Sequence, residues 1–510
     1  MTSADRPRSS PQPEYRSVDL DAQVRSPVDV LIVGSGFSGI CMGVRLRQAG
    51  IESFLIIEKA DDIGGTWRDN RYPGCACDIP SHLYSLSFAP RSDWRRMYPT
   101  QPELWEYLRD VVDGHGLRQK LCFNVAMNAA EWDEVNAQWR VTTNTGATIQ
   151  AGVLISGIGA LHVPARPRLA GLETFTGVAF HSATWRRDCD LAGKRVAVVG
   201  TGASAIQFVP EIAPKASMLH VFQRTPPWIA PKLDRPIGPG ERWLFRYLPG
   251  YRRAFRESLY WIHELRALGF NGNRRIITKI EQIARDHLTS QINDPELRAR
   301  LTPHYKIGCK RILISNDYYP TLTRPNVELV TDGIAEVLVD AVLTRDGTKR
   351  LIDVLIFGTG FEVADVLRTL PVIGRNRQAL QDVWRDHVKS YYGICVNGFP
   401  NFFMLLGPNT SLGHNSVVVM IEAQVRYIIS CLVQMRRRRL KLIDVKPEIQ
   451  QQFFERIQEQ LKPTVWQSGG CRSWYQDRVG HNVAIWPGLT VNYRWLTRRA
   501  RLADFVTAAA

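Results

Sequence analysis

Two short glycine motifs, each preceded by an apolar segment, constrain the fold of this 510-residue chain more than any other feature. They are VDVLIVGSGFSG (28–39) and KRVAVVGTGASA (194–205). In a strand–G-x-G-x-x-G–helix unit, the first glycine allows a tight turn and the second lets the backbone approach a pyrophosphate. The third lets the helix pack on the strand. Two copies predict an α/β protein with two dinucleotide-binding Rossmann-like domains.

The two motifs differ in the charge that follows them. Glu58 is the penultimate residue of SFLIIEK (53–59) and Arg224 is the last residue of MLHVFQR (218–224). Each lies 24 residues after the first glycine of its motif (34 to 58 and 200 to 224). A carboxylate at this place accepts hydrogen bonds from ribose hydroxyls, which fits FAD, whereas arginine offers paired donors to a 2′-phosphate. We therefore predict bound FAD and NADPH. The predicted turn residues are Gly34, Gly36, Phe37, Ser38 and Gly39 for FAD, and Gly200, Thr201, Gly202, Ser204 and Ala205 for NADPH.

Each motif is followed by a hairpin-like stretch and a closing strand, and this repeat divides the chain. The strands VLISGIG and VLIFGTG look equivalent, each ending in a glycine turn. Between them, Arg- and aromatic-rich segments have helical periodicity. We predict a flexible N-terminal tail at 1–27, an FAD-binding domain at 28–162 and 362–510, an NADP-binding domain at 163–231 and 305–361, and a helical insertion at 232–304.

Composition excludes several other classes of protein. The net charge of +16 is spread along the chain, so we expect no nucleic-acid partner. The apolar run YIISCLVQM (427–435) is too short to span a bilayer, so we expect no stable membrane insertion. Nine cysteines without a C-x-x-C pair, and no secretory signal, predict reduced thiols and a cytoplasmic location. His162, His414 and His481 follow no metal-binding spacing, so we expect no metal.

Three further segments carry a family resemblance. FTGVAFHSATW (175–185) matches F-x-G-x-x-x-H-x-x-x-W, and GGTWRDNRYPGCACD (64–78) and VNGFPNFFMLLGPNTSLGHNS (396–416) match other family segments. From about residue 28 onward the chain resembles the type I Baeyer–Villiger monooxygenases, which are class B flavoprotein monooxygenases. One departure is Arg186, where the family often has Pro or Asp. The fingerprint residues are Phe175, Gly177, His181 and Trp185.

The resemblance implies roles for individual residues. GCKRILISNDYYPTLTRPNV (308–327) is similar to the segment that carries the family's catalytic arginine, here Arg311, which Asp78 would pair with. His181 would help to transmit domain movement rather than transfer protons. Further residues are implied beside the cofactors: Thr66, Trp67, Asp78 and Tyr84 for FAD, and Arg224, Thr225, Lys310 and Trp474 for NADPH.

The implied function is the NADPH- and O₂-dependent conversion of a small-molecule ketone to an ester or lactone through a C4a-peroxyflavin, with sulfoxidation as a further activity. The alternative is an N- or S-oxygenating flavin monooxygenase, against which Trp185 and the Lys310-Arg311 segment argue. A non-enzymatic nucleotide-binding flavoprotein sensor is more remote. The motif CAC (75–77) has poor metal-ligand spacing and predicts two buried thiols, which argues against a disulfide reductase.

Overall fold

The computed structural model describes residues 26–362, 371–471, 475–477 and 480–509. Nearly all of the predicted tail 1–27 lies outside the described residues. The segment up to residue 230 alternates strands and helices. In chain order these are β1 Val28–Val33, α1 Phe37–Gln48, β2 Phe54–Glu58, α2 Thr66–Asp69, α3 Gln101–Gly114, β3 Leu121–Phe123, β4 Met127–Asp133, β5 Gln138–Thr143, β6 Thr148–Ser156, β7 Val178–His181, β8 Arg195–Val199, α4 Ala205–Ile212, β9 Met218–Phe222 and β10 Ile229–Ala230.

The rest of the chain begins with four consecutive helices, returns to strands and ends in a mainly helical segment. The elements are α5 Pro239–Tyr247, α6 Tyr251–Phe270, α7 Arg274–Gln291, α8 Pro295–Leu301, β11 Leu313–Ile314, α9 Tyr318–Leu322, β12 Val327–Val330, β13 Ile334–Val337, β14 Ala341–Thr344, β15 Lys349–Leu351, β16 Val354–Phe357, β17 Val372–Ile373, α10 Leu380–Val383, β18 Phe402–Met404, α11 Val417–Arg438, β19 Leu440–Val445, α12 Pro447–Leu461, α13 Val465–Ser468, α14 Thr490–Leu496 and β20 Phe505–Ala509.

Two sheets organise these elements. The larger has eight strands in the order β17-β4-β5-β6-β1-β2-β3, with β18 paired to β6, and the five-stranded sheet has the order β12-β9-β8-β16-β7. Strand β1 lies between β2 and β6, and β8 lies between β9 and β16, all in parallel register. Both central strands are almost continuously apolar because helices cover both faces of a parallel sheet. The predicted α/β class is confirmed, whereas the assignment of each domain to a cofactor stays a prediction.

The four helices α5 to α8 lie within the predicted insertion 232–304, and α6 docks against the C-terminal part of the chain. The side chain of Glu264, only 2% exposed, accepts hydrogen bonds from Asn415 Nδ2 at 2.9 Å, Thr490 Oγ1 at 2.6 Å and the Val491 N–H at 3.0 Å. Burial alone would raise the pKa of Glu264, but His414 and these donors lower it to about 2. A buried carboxylate therefore fixes the insertion over the loop that precedes α11.

Helix α11 corrects the expectation about membrane-spanning length. Among the described residues it is the one helix long and apolar enough to cross a membrane by length and composition, because it begins at Val417, well before the run 427–435. Of its most apolar 18-residue window, 61% is buried inside the fold. It packs on α1, α14 and β19, as a core helix does.

The cysteines also depart from the sequence prediction. Cys309 and Cys471 form a disulfide across 162 residues of sequence, with Cα atoms 6.1 Å apart, so the expectation that all nine thiols are reduced is wrong. The sequence did not indicate this bond because the two cysteines are far apart in the chain and belong to no short cysteine motif. Disulfides are rare in cytosolic proteins, so the bond also weakens the sequence argument for a cytoplasmic location. It ties the C-terminal segment to the residue that precedes Lys310.

The Glu264 contacts predict a pH-dependent stability. Because the folded pKa lies below the ordinary 4.5, the carboxylate stabilises the folded state above about pH 4.5, and this contribution is lost as the pH falls toward 2. Glu264→Gln should therefore cost on the order of 3 kcal/mol at pH 7. The difference from the wild type should shrink by roughly half or more at pH 3, measured by urea unfolding.

The control for this experiment is Glu281→Gln, which removes a half-exposed pair between Glu281 and Arg285 on α7. Its expected effect is below about 1 kcal/mol at pH 7. A Glu264→Gln penalty that stays constant from pH 7 to pH 3 would contradict the role assigned to the charge.

The disulfide predicts a thiol count. Without reductant, the denatured chain should expose seven reactive thiols, which matches the seven free cysteines, and nine after reduction. Cys471→Ser should give eight without reductant because it releases Cys309, whereas Cys189→Ser, at a free cysteine, should give six. A count of nine in the unreduced wild type would show that the bond does not form.

Candidate cofactor and active site

A cleft opens at the carboxyl ends of β1 and β2, where ligands bind in open α/β sheets. It gathers eight of the ten residues predicted for FAD, while Gly39 and Asp78 lie outside its lining. The lining also includes residues that the sequence analysis did not single out for a cofactor, among them Lys59, Arg68 and His162. The eight are Gly34, Gly36, Phe37, Ser38, Glu58, Thr66, Trp67 and Tyr84.

The first glycine turn is closed by the strand that follows the hairpin. Gly34 has φ +99°, a backbone conformation that L side chains rarely adopt, and a Cβ on it would lie 2.8 Å from the Gly157 oxygen. A Cβ on Gly39 would lie 1.9 Å from the Gly34 oxygen. Gly39 therefore allows α1 to pack against β1 and does not face the cleft.

The second turn repeats this geometry with one substitution. Gly200 has φ +106°, and a Cβ on it would lie 2.6 Å from the Gly358 oxygen. Ala205 holds the third position because Gly358 faces it without a side chain: a Cβ on Gly358 would lie 3.2 Å from that of Ala205. Gly157 and Gly358 thus occupy equivalent places, as the repeat of VLISGIG and VLIFGTG predicts.

Glu58, the predicted ribose acceptor, is buried and already well satisfied. Its Oε2 accepts hydrogen bonds from the Ser35 N–H at 2.9 Å and the Ser35 hydroxyl at 2.8 Å. Its Oε1 accepts from the Ala60 N–H at 3.1 Å and lies 3.0 Å from Arg68 Nη1. A carboxylate has about four acceptor positions. A ribose hydroxyl therefore has to replace one of these donors, and the rotatable Ser35 hydroxyl is the easiest to displace.

An aromatic wall leads from this cleft toward the ion pair described next. Trp67 Nε1 donates to the Tyr84 hydroxyl at 3.3 Å, and the Tyr84 ring meets the Phe37 ring edge-on, with centroids 5.2 Å apart. Burial raises the pKa of Tyr84, and the charges of Asp78 and Arg311 also act on it. Tyr84 therefore lies between the predicted FAD residues and the predicted catalytic pair.

Asp78 and Arg311 meet although 233 residues separate them. Arg311 donates from both Nε, at 3.0 Å, and Nη2 to the same Asp78 oxygen, Oδ2. The Asp78 side chain is 28% exposed and that of Arg311 is 43% exposed, so the pair lines an accessible space. The negative charge of Asp78 raises the pKa of Arg311. Arg311 therefore remains a cation at any working pH.

Tyr475 lies near this pair, and the sequence analysis missed it. Burial raises its pKa to about 12, with the charge of Arg311 opposing that rise, so Tyr475 remains a neutral phenol beside the guanidinium. The predicted NADP contact Trp474 lies outside the described residues. Both aromatic residues belong to the sequence CRSWY (471–475), whose pattern alone did not distinguish them.

Lys310 and Arg224 lie close enough for their charges to interact. Burial and the positive charge of Arg224 lower the pKa of Lys310, whose ammonium also lies 5.0 Å from the Tyr305 ring centroid. Arg224 is exposed, and Thr225, next in the chain, is partly exposed. Two cations that repel each other at the end of β9 provide a place where a phosphate dianion would be stabilised.

The fingerprint 175–185 forms β7 at the edge of the five-stranded sheet, paired with β16. A Cβ on Gly177 would lie 2.4 Å from the Phe175 ring, so this glycine permits the close approach of that ring. The Trp185 ring contacts Phe208 of α4, with centroids 5.3 Å apart. Buried His181 accepts a hydrogen bond from the Ala183 N–H at 3.1 Å, and burial lowers its pKa. Its role in domain movement stays a prediction.

Gln207 of α4 connects the two sheets, and the sequence analysis gave no signal for it. Its Oε1 accepts from the Tyr72 hydroxyl at 3.0 Å, and its Nε2 donates to the Ala76 carbonyl at 3.0 Å. A Cβ on Gly74 would lie 2.7 Å from the Gln207 carbonyl oxygen. The motif 64–78 is thereby attached to the helix that follows the second glycine turn, at a point two residues before Asp78.

Cys75 and Cys77 are free, buried thiols, as predicted. Burial raises the pKa of Cys75 to about 12 and also raises that of Cys77. A catalytic cysteine pair needs accessible thiolates of low pKa. This segment therefore does not have the chemistry of a disulfide reductase.

The insertion also approaches the catalytic pair. Burial, with the charge of Arg266, lowers the pKa of His263 on α6 to about 4, while the charge of Asp78 acts in the opposite direction. The neighbouring Glu264 is bonded to Asn415. The structure therefore brings α6 and the loop 409–417 together beside Asp78.

Comparisons with known proteins agree with this geometry. Residues 31–237 match the family described as pyridine nucleotide-disulphide oxidoreductase. A Baeyer–Villiger monooxygenase of Pseudomonas aeruginosa is 46% identical, over 92% of this chain and 89% of that protein. The structure of a cyclohexanone monooxygenase from Rhodococcus sp. Phi1 bound to NADP⁺ is similar, with a TM-score of 0.84 and 30% identity over 95% of this chain and all of that one. OTEMO in complex with FAD and NADP gives 0.85 and 26%, with the same coverage.

The high identity over nearly the full length of the Pseudomonas protein argues against two of the classes considered from the sequence. A nucleotide-binding sensor and a disulfide reductase are both set aside. The predicted family and enzyme class are confirmed: the chain belongs to the Baeyer–Villiger monooxygenases.

Proposed function

We propose that this protein uses NADPH and O₂ to convert a ketone to an ester or lactone. The observation that carries the proposal is the Asp78–Arg311 pair, which lies beyond the aromatic wall of the cleft at β1 and β2. Arg311 also directly follows Lys310, the cation near Arg224. The predicted cofactors, FAD and NADP, are confirmed by the comparisons with cofactor-bound relatives. The comparisons support the oxidation of a small molecule, and we propose in addition that the substrate is a ketone and the oxidant O₂.

The eight-stranded unit is the proposed FAD site and the five-stranded unit the proposed NADPH site. Glu58 offers an acceptor at the end of β2, which suits a ribose, while Arg224 and Lys310 at the second site suit a 2′-phosphate. The glycine turns at Gly34 and Gly200 open a backbone approach for each pyrophosphate. The residues present therefore fit both cofactors.

FAD bound here and reduced by NADPH would activate O₂, so that one oxygen atom enters the substrate beside the carbonyl carbon and the other leaves as water. Arg311 provides a fixed cation where negative charge develops on the substrate oxygen, which is the largest kind of contribution that a preorganised side chain makes. Asp78 positions the guanidinium by accepting hydrogen bonds from two of its nitrogens on a single carboxylate oxygen. The buried rings of Trp67 and Tyr475 limit the access of water to this space.

The proposed function predicts a labelled product and a requirement for Arg311. With FAD-loaded enzyme, NADPH and ¹⁸O₂, a panel of cyclic, aryl and long-chain ketones plus a thioether should yield a labelled ester or lactone by mass spectrometry. Arg311→Ala should lower the rate of ester formation by about 100-fold or more, because the oxyanion loses its cation. FAD content should remain that of the wild type.

The matched control is Arg345→Ala, which removes an exposed arginine from the same unit and should leave the rate unchanged. Labelled sulfoxide without any ester would favour the N- or S-oxygenating alternative. Ester formation at the wild-type rate by the Arg311→Ala enzyme would contradict the role proposed for this residue.

The second prediction concerns the choice of nucleotide. Arg224→Ala should raise KM for NADPH by about 10- to 100-fold, the value of one charge-assisted contact, and should change KM for NADH little. Steady-state rates with each nucleotide measure both. Lys215→Ala removes an exposed cation beyond the far end of α4 and is the control. Equal losses with NADPH and NADH would place Arg224 outside the 2′-phosphate site.

A further inference from the structure

Three potential metal ligands converge at a place remote in sequence from both glycine turns. They are His387, in the segment after α10, and Asp477 and His481, at the end of a hairpin. One ligand atom from each residue lies within 4.8 Å of the other two. The spacing of His481 in the sequence gave no sign of this, because His387 precedes it by more than 90 residues.

Each of the two imidazoles has a ring nitrogen without a hydrogen bond among the residues that the structure describes. These are the Nδ1 atoms of His387 and His481, and both atoms are buried. A buried polar atom without a partner costs about 1–3 kcal/mol, so two adjacent ones require a reason. The rings are nearly perpendicular, with centroids 4.8 Å apart, and both pack against Phe454 of α12. Packing therefore holds two nitrogen donors side by side.

Asp477 completes the set with an oxygen. Its Oδ2 lies 3.8 Å from His481 Nδ1, which is beyond hydrogen-bond range but is a distance that a bridging ion can span. Its Oδ1 accepts a hydrogen bond from the His481 N–H at 2.9 Å, and its own N–H donates to the His481 carbonyl at 2.9 Å. The backbone thus orients the carboxylate, which is the support that metal-ligating carboxylates need.

We propose that His387 Nδ1, Asp477 Oδ2 and His481 Nδ1 bind a divalent transition-metal ion of the zinc class. Two imidazole nitrogens and one carboxylate oxygen suit such an ion, and water can fill the fourth tetrahedral position. In zinc sites these ligands lie about 2.0–2.2 Å from the metal, so the three atoms have to close by roughly 1 Å. Rotation of the imidazoles provides that movement.

Such an ion would connect the hairpin to the rest of the fold. The hairpin begins at Tyr475, whose carbonyl accepts from the Val483 N–H at 2.9 Å, and Tyr475 lies beside Arg311. On the other side, His387 is held by its neighbours, since Trp384 Nε1 donates to the Lys389 carbonyl at 2.8 Å. A metal bridge would therefore restrict the segment that carries Tyr475.

The test uses FAD-loaded, tag-free protein. After equilibrium dialysis against micromolar zinc and then metal-free buffer, elemental analysis should find one zinc per wild-type chain. His387→Asn and His481→Asn should each weaken zinc binding at least tenfold, and Asp477→Asn should weaken it as well. His304→Asn, at an exposed histidine, is the control and should retain one zinc. Zinc should also raise the unfolding temperature of the wild type and of the control but not of the three ligand variants.

Wild-type protein that binds no zinc at 100-fold excess overturns the proposal. So does zinc that is retained at wild-type affinity by all three ligand variants, since the ion then lies elsewhere. If one variant fails to fold, as judged by its circular dichroism without metal, the other two decide. These readouts do not depend on oxygenation, so the proposed function and the metal site fail separately.

Discussion

The proposed chemistry of this protein depends on the contact between Asp78 and Arg311. It joins the segment after α2 in the larger-sheet unit to the segment that returns from the helical insertion, and it places the predicted catalytic cation. Its energy alone is small, since partly exposed ion pairs contribute about 0–1 kcal/mol. The geometry is therefore set by what packs around it: Gln207 on one side and the buried Glu264 contacts on the other.

The two nucleotide turns show how one constraint produces two sites. Each first glycine faces the carbonyl of a glycine on a later strand, Gly157 or Gly358, so the turn and that strand end must be specified together. In the second turn this partner glycine makes room for Ala205. The units then differ mainly in charge, with Glu58 at one strand end and the Arg224 and Lys310 cations at the other. In the proposed assignment, opposite charges on a shared backbone separate the FAD site from the NADPH site.

The sequence predicted the features that depend on local pattern and missed those that depend on distant contacts. The glycine turns, the central strands and the buried thiols of CAC follow from residue type and short spacing. Asp78 and Arg311 came from family resemblance, because no local rule brings together residues 233 positions apart. The disulfide of Cys309 with Cys471 contradicted the prediction, and Gln207 gave no signal at all. In each case the missing information was tertiary packing.

Two features that the sequence did not predict, the disulfide and Tyr475, lie on the C-terminal segment. Cys471 is bonded to Cys309, directly before Lys310 and Arg311, and Tyr475 lies beside Arg311. Two residues after Tyr475, Asp477 begins the proposed metal site. Lys310 and Arg311 therefore lie on a short stretch of chain that is held both by the C-terminal segment and by Asp78. A change in that segment should act on the proposed nucleotide and oxygenation residues together, because Lys310 and Arg311 are adjacent and directly follow the disulfide-bonded Cys309.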